Sequence, residues 1–243
     1  MSTSAFDIVD LGRMGYAAAY ERQAAAHAEV MEDRERRPRP SRAGIVLTVE
    51  HDPVITVSRR ATAGGNVLAS AELLARRGVE RVETDRGGDV TYHGPGQLVV
   101  YPILDLTLLN LGLHDYMRLL EQSVIDTCAE FGVAAERDPT ATGVWVRDAS
   151  GELAKVAAFG VRVRRWVSMH GLAINITTNM EHFGLIVPCG LLGRPVTSLQ
   201  KLLGEECPAW EVVRRELVGN LSRLVGERLD AAAARRDEGE QEQ

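Results

Sequence analysis

The sequence predicts an α+β fold: a mixed, largely antiparallel sheet packed with helices. Three observations lead there. Strand-length apolar runs follow one another closely in the second half of the chain, with hairpin-type turns between them. Only a few long helical patterns occur, and they do not alternate regularly with strands, as a doubly wound fold requires. The glycines of RGG and HGPG lack the spacing and context of a Walker A or dinucleotide fingerprint. A chain of 243 residues suits one large domain. That domain is assigned to residues 1–230, with 231–243 as a charged tail expected to fray or stay disordered.

The elements follow in order. Residues 14–35, rich in alanine and charge, read as a helix ended by RRPRP. Residues 43–50 (AGIVLTVE) read as a strand, and HDPVIT as a turn with a short strand. Residues 70–77 read as a helix that Ser70 can cap and Gly78 can end. A glycine-rich loop leads into a buried strand over 98–106, in which Pro102 limits pairing on both sides. Residues 113–131 form the clearest amphipathic helix, with Leu113, Tyr116, Met117, Leu120, Val124, Cys128 and Phe131 on one face. Strands are expected over 143–147 and 156–166, joined by DASGEL, and over 172–178. A last helix spans 210–229, with Val213, Leu217, Leu221, Leu224 and Val225 inward. No internal repeat is visible.

Composition narrows the function. The chain is 45% hydrophobic with a formal net charge of −6, which argues against nucleic-acid binding. It shows neither an apolar leader segment nor a membrane-span-length run, and Asp7 and Asp10 argue against a transit peptide. Three cysteines without paired spacing fit neither a zinc site nor a disulfide framework, so no metal is expected and a reducing compartment fits best. A soluble, cytoplasmic protein is the expectation. Positive charge is clustered at Arg59 and Arg60, Arg76 and Arg77, and Arg162, Arg164 and Arg165; each is either a solvated surface or a docking patch for an acidic partner.

Two segments carry the chemistry. RGGDVTYHGPGQLVVY, residues 86–101, crowds four glycines, a proline and a histidine ahead of a core strand. Such a cluster is either an ordinary Gly-Pro turn or a place where something approaches the backbone closely. LIVPCG, residues 185–190, sets Cys189 between a proline and a glycine, a turn that can present a thiol to a pocket. Cys128 lies on an apolar helix face and reads as packing, and Cys207 as a loop residue.

Three blocks, RGGDVTYHGPGQLVVYP, KVAAFGVRVRRWVSMHGLAINI and FGLIVPCGLLGRPVTSL, closely resemble the octanoyltransferases of lipoate synthesis, the lipoyl(octanoyl) transferase family. HDPVIT resembles the start of that family's core, and the resemblance runs from about His51 to Leu199. It departs at Ser58, where the family often has glycine, and a local backbone change is expected there. The resemblance implies a fold related to biotin and lipoate protein ligase catalytic domains. It implies transfer of an octanoyl group from acyl carrier protein to a specific lysine of lipoyl domains, in 2-oxoacid dehydrogenases and the glycine-cleavage H protein. No cofactor is implied, because the donor thioester is already activated.

By the same resemblance Cys189 is the nucleophile and Lys155 its partner. Lys155 is one of two lysines in the chain, and a surface lysine opening a strand is the plainer alternative. Arg86, Gly87, Gly88, Asp89, Val90, Thr91, Tyr92 and His93 would line the acyl pocket, with Ala158, Phe159, Gly160, Gly171, Leu172 and Ala173. His93 would orient a catalytic group or hydrogen-bond the acyl carbonyl, with His170 in a similar role and Asn175 ordering the pocket. A basic rim at Arg162 and Arg164 would meet acidic carrier proteins. A monomer is expected. A lipoate–protein ligase using ATP, a cysteine hydrolase using Cys189 with His93 or His170, and a non-catalytic carrier-protein binder remain as alternatives.

Overall fold

A computed structural model describes residues 5–36, 42–60, 63–148, 151–187 and 194–241, with side chains through 235. In chain order the elements are β1 (Asp7–Met14), α1 (Tyr16–Glu35), β2 (Gly44–His51), β3 (Val54–Ser58), α2 (Ala71–Arg76), β4 (Glu80–Thr84), β5 (Val90–His93) and β6 (Gln97–Leu104). Then come α3 (Leu113–Glu130), β7 (Ala135–Asp138), β8 (Ala141–Arg147), β9 (Leu153–Arg164), β10 (Val167–Asn175), α4 (Leu199–Leu203) and α5 (Trp210–Gln241). Seven strands form one sheet in the order β1-β2-β6-β10-β9-β8-β7, in which only β1 and β2 run parallel. A smaller sheet, β4-β3-β5, combines one parallel and one antiparallel pair. The α+β expectation with a mixed, largely antiparallel sheet therefore holds.

The central strand β6 shows how the layers arise. Every residue of it is buried, and its side chains alternate between the two faces. Leu98, Val100 and Leu104 join the core under α3 and α5, with Tyr116, Leu120, Val124, Cys128, Leu217 and Leu221. Val99, Tyr101 and Ile103 join a second core under α1, with Ala19, Ala26 and Val30. Pro102 limits pairing as its chemistry requires. The β6–β10 ladder stops at Val100, and the Ser168 hydroxyl donates to Pro102 O at 2.8 Å and accepts from Leu104 N at 2.9 Å.

The helix over 70–77 forms as read: Ser70 Oγ accepts from Leu73 N at 3.3 Å, and Gly78 follows at φ 62°. Ser58 causes no backbone break. It ends β3 in regular register with Thr84, and its hydroxyl donates to Gly88 O at 2.9 Å, tying down the glycine loop.

Several elements depart from the sequence reading. β1, β4, β5 and β7 escape it, because each is short or alternates too weakly to stand out. The strand over 172–178 instead begins at Val167, and β9 turns into it through Arg165 and Trp166 at φ 51° and 63°. A two-residue turn of this kind ordinarily announces itself by Asn-Gly, and this one does not. The last helix continues past 229 to Gln241, so the tail expected to fray is helical over 231–241. Its alanines favour helix, and Ala232 is buried. Among the described residues, no helix is long and apolar enough to cross a membrane.

Candidate functional site

The two sheets meet at the glycine loop, and a cleft lies along the seam. Its walls come from Tyr16 on α1, Arg86, Gly88 and Asp89 on the loop, and Thr91 and His93 on β5. Val99 and Tyr101 on β6, Ala158, Phe159 and Gly160 on β9, and His170, Gly171, Leu172 and Ala173 on β10 complete it. Twelve residues read from the sequence thus line one cavity. Val90 and Tyr92 do not: β5 alternates, so they turn into a third core with Ile55, Val57 and Phe183. The Tyr92 hydroxyl instead bonds His182 Nδ1 at 2.7 Å.

Glycine is required where loop and sheet touch. Gly87 N donates to Val161 O at 2.9 Å. A Cβ on Gly87 would lie 2.8 Å from Val161 O, and one on Gly160 would lie 2.8 Å from Gly87 O. Gly87 is therefore the joint that closes the cleft and not part of its lining. Arg86 is held by Thr56, with its Nε and Nη2 donating to Thr56 Oγ1 at 3.2 and 2.9 Å and its Nη1 to Gly87 O at 3.0 Å.

Three histidines gather at the cleft. His51 Nδ1 bonds Met14 O at 3.1 Å, and its Nε2 bonds the Tyr101 hydroxyl at 2.7 Å. Burial pushes its pKa down to about 4. His93 is pushed down to about 3 by burial and by the charges of His51 and Arg86, against the bond from Gln97. His170 sits at φ 57°, a left-handed conformation costly for this residue. It is held there by a backbone N–H bond to Gln23 Oε1 at 2.9 Å and by an Nε2 bond to Asp85 Oδ1 at 2.9 Å. Burial keeps its pKa low despite that carboxylate. Its buried Nδ1 makes no hydrogen bond.

Burial alone would raise the Asp85 carboxyl. The bonds from His170 and Tyr20 and the charge of Arg162 outweigh that and hold it below the usual range. Arg162 is ion-paired to Asp85 while its side chain stays partly exposed, and Arg164 is exposed. The sequence reading does not single out Asp85, Gln97, His51, Tyr16, Val99, Thr56 and Tyr101 as site residues. All but Tyr16 lie within or directly beside the glycine block and HDPVIT, and Tyr16 carries no local signal.

Lys155 lies on β9 ahead of the cleft-lining Ala158, Phe159 and Gly160 and is 5% exposed, so it is not a surface lysine. Its Nζ donates to Thr142 O at 3.0 Å and lies 4.7 Å from the centre of the Trp145 ring. Lys155 N donates to Pro195 O, and Thr197 N to Lys155 O, both at 2.9 Å. Arg194 covers the same indole at 5.0 Å and is ion-paired to Asp138. Cys189 lies outside the described residues. Cys128 is core packing, as read, with its thiol pushed up to about 12 by burial. Cys207 is half-buried against the main core. Asn175 is not among the cleft-lining residues, and its Oδ1 accepts from Gln97 Nε2 at 2.8 Å. Among the described residues, no group of three His, Cys, Asp or Glu could hold a metal ion.

Residues 19–231 match the family model of the lipoyl protein ligase A/B catalytic domain. An octanoyltransferase of Koribacter versatilis is 49% identical over 170 residues, 69% of this chain and 66% of that one. An octanoyltransferase of Acidobacterium capsulatum is 43% identical over 233 residues, 92% of this chain and 91% of that one. Among solved structures, the bipartite lipoate protein ligase of Thermoplasma acidophilum superposes with a TM-score of 0.67 at 14% identity, covering 96% of this chain and 92% of that one. A biotin protein ligase of Aquifex aeolicus, solved with biotin and ATP, superposes with a TM-score of 0.52 at 12% identity, covering 90% of this chain and 70% of that one. At these identities the two structural likenesses establish the fold.

Proposed function

Because the chain belongs to the octanoyltransferases of the lipoyl protein ligase A/B family, we propose that it moves an octanoyl group from acyl carrier protein to a specific lysine of lipoyl domains, through a thioester on Cys189. The observation that carries this reading is the cleft: a narrow seam with apolar walls at Val99, Phe159, Leu172 and Ala173 and, among the described residues, no side-chain carboxylate but Asp89. Burying an acyl chain in such a seam contributes roughly 0.8 kcal/mol per methylene.

The reaction divides in two. The Cys189 thiolate adds to the octanoyl carbonyl, the carbonyl–sulfur bond of the donor breaks, and the carrier's thiol leaves. A lipoyl-domain amine then adds to the new thioester, the bond to Cys189 breaks, and an amide remains. No ATP or cofactor enters, because one thioester is exchanged for another and then for an amide. A free cysteine has a pKa of about 8.5, so a neighbouring ammonium favours the thiolate. Lys155 is the candidate for that ammonium and, after losing its proton, for the acceptor of the amine's proton. Support comes from the chain flanking residues 188–193: Pro195 pairs with Lys155, and Arg194 shares the Trp145 ring with it. We assign the protein to the cytoplasm as a monomer, with acyl carrier protein and the lipoyl domains of 2-oxoacid dehydrogenases and glycine-cleavage H protein as partners.

Intact-protein mass spectrometry tests the reading. Octanoyl-loaded carrier protein without ATP should add one octanoyl group to the enzyme, and a lipoyl domain should remove it. Cys189→Ser should gain nothing. Octanoylation that requires ATP and free acid would make the protein a ligase; release of free octanoate without acceptor would make it a hydrolase.

A further inference from the structure

We propose that Gln97 and Asn175 are positioning residues that hold His93 in one tautomer, with its Nε2 lone pair facing the cleft to take an N–H of the incoming lysine amine. This rests on the acyl-transfer reading above.

The direction of a hydrogen-bond chain fixes the tautomer. The chain starts at a backbone carbonyl, which can only accept: Asn175 Nδ2 donates to Thr197 O at 3.0 Å. Asn175 Oδ1 must then be the acceptor for Gln97 Nε2, at 2.8 Å. Gln97 Nε2 also reaches Tyr92 O at 3.2 Å, a second acceptor-only group that sets the same orientation. Gln97 Oε1 is therefore the atom facing His93 Nδ1, at 2.7 Å, and that nitrogen must carry the proton. A flip of either amide would set oxygen against a carbonyl, or nitrogen against nitrogen, in a buried site. Gln97 and Asn175 are 2% and 3% exposed, so water does not stand in for the lost bonds.

What remains of His93 is a lone pair. Its ring lines the cleft and lies parallel to that of Tyr16, with centroids 6.5 Å apart. Burial and the nearby Arg86 keep it from taking up a second proton, with a pKa near 3. In this tautomer it cannot donate to an acyl carbonyl. An octanoyl thioester offers only acceptors and C–H groups at its reacting end. Of the two substrates, only the attacking amine brings a donor to the acyl carbon. Nε2 is too weak a base to carry off the proton at neutral pH, so it orients the amine and leaves proton removal to another group. The same chain reaches Lys155, because Thr197 N donates to Lys155 O. The amine's acceptor and the proposed proton acceptor are thereby built on one framework.

The test has two arms. Nitrogen-15 NMR of the histidine-labelled enzyme should show His93 with a protonated Nδ1 and a bare Nε2 at neutral pH; a protonated Nε2 overturns the assignment, and this arm needs no variant. In the second arm, acyl-enzyme formation from octanoyl-loaded carrier protein and its discharge to a lipoyl domain are timed separately. Gln97→Leu should slow discharge about tenfold, the worth of one hydrogen bond, and affect acylation much less. Asn175→Ala, one link further away, should act in the same direction and more weakly. Equal loss in both steps, tracking a fall in melting temperature, would reduce the chain to structural support and overturn the role. A wild-type enzyme that forms no acyl-enzyme would overturn the transfer reading, while the tautomer measurement would stand by itself.

Discussion

Replacing Gly160 by alanine tests whether the contact between the glycine loop and β9 sets the cleft. The new methyl carbon would lie 2.8 Å from Gly87 O and 3.1 Å from Arg86 Cδ. The loop cannot simply retreat, because Gly87 N is bonded to Val161 O at 2.9 Å and Gly87 O accepts from Arg86 Nη1 at 3.0 Å. Overpacking of this kind costs about 1–3 kcal/mol, and giving up the Gly87–Val161 bond about 1 kcal/mol more. Taking a middle value of about 2–3 kcal/mol, a domain of this size should lose about 4–12 °C in Tm. The same displacement moves Arg86 and Gly88 at the cleft wall, so octanoyl uptake should fall by more than the stability loss explains. Calorimetry and the yield of acyl-enzyme at a temperature well below both midpoints measure the two effects. Gly219→Ala, with nothing within 4 Å of its added carbon on α5, is the control and should raise Tm slightly. A Gly160→Ala enzyme with wild-type Tm and wild-type octanoyl uptake would refute the joint.

Three further outcomes follow from the same structure. Lys155→Arg keeps a positive charge that cannot give up its proton, so the enzyme should still become acylated but discharge to the lipoyl domain at least about a hundredfold more slowly; equal rates in both steps would remove Lys155 from proton transfer. Stability should fall as pH drops from 7 to 5. His51 and His93 have folded pKa values of about 4 and about 3, so between those values and about 6.5 the unfolded chain binds the extra protons. Each loses about 2 kcal/mol of its stabilising contribution between pH 7 and pH 5, with more lost as pH falls further toward the folded pKa, and identical urea midpoints at pH 7 and 5 would contradict this. Cys128, fully buried with its thiol pushed up to about 12, should resist thiol reagents in the native enzyme, and Cys128→Ala should keep transfer activity while losing some stability; rapid native labelling at Cys128 would show that α3 opens.

The sequence shows local features well when one face or one turn carries the whole signal. The α3 stripe through Tyr116, Leu120, Val124 and Cys128 is legible because a 3.6-residue period needs only its own residues, and the same residues form the core. Ser70 before α2 and Pro102 in β6 are legible for the same reason: capping and a missing N–H are properties of one residue. β1 is not, since it is a mostly exposed edge strand whose place comes from parallel pairing with β2, whose partner residues such as Ile45 for Asp7 lie far along the chain. The Arg165–Trp166 turn lacks turn chemistry. Arg34 on α1 supports it from outside, donating to Arg165 O at 2.6 Å and to Asp105 at 2.7 Å.

At the site the division is similar. By itself the sequence determined the α+β class, the family resemblance, and most of the cleft lining, because those residues cluster in three contiguous blocks whose composition is unusual. It also marked Gly87 and Gly160, but not that each is needed for the other. Only the tertiary structure decided which side of β5 faces the cleft, so that Thr91 and His93 serve it and Val90 and Tyr92 serve the core. Only the fold joined Arg162, Asp85 and His170, buried Lys155 against Trp145, and ran a chain of amides from Thr197 to His93. The reason is physical. Periodicity, capping and turn chemistry act between neighbours along the chain, whereas the direction of a hydrogen bond and the protonation of a buried ring depend on groups that only folding brings within 3 Å.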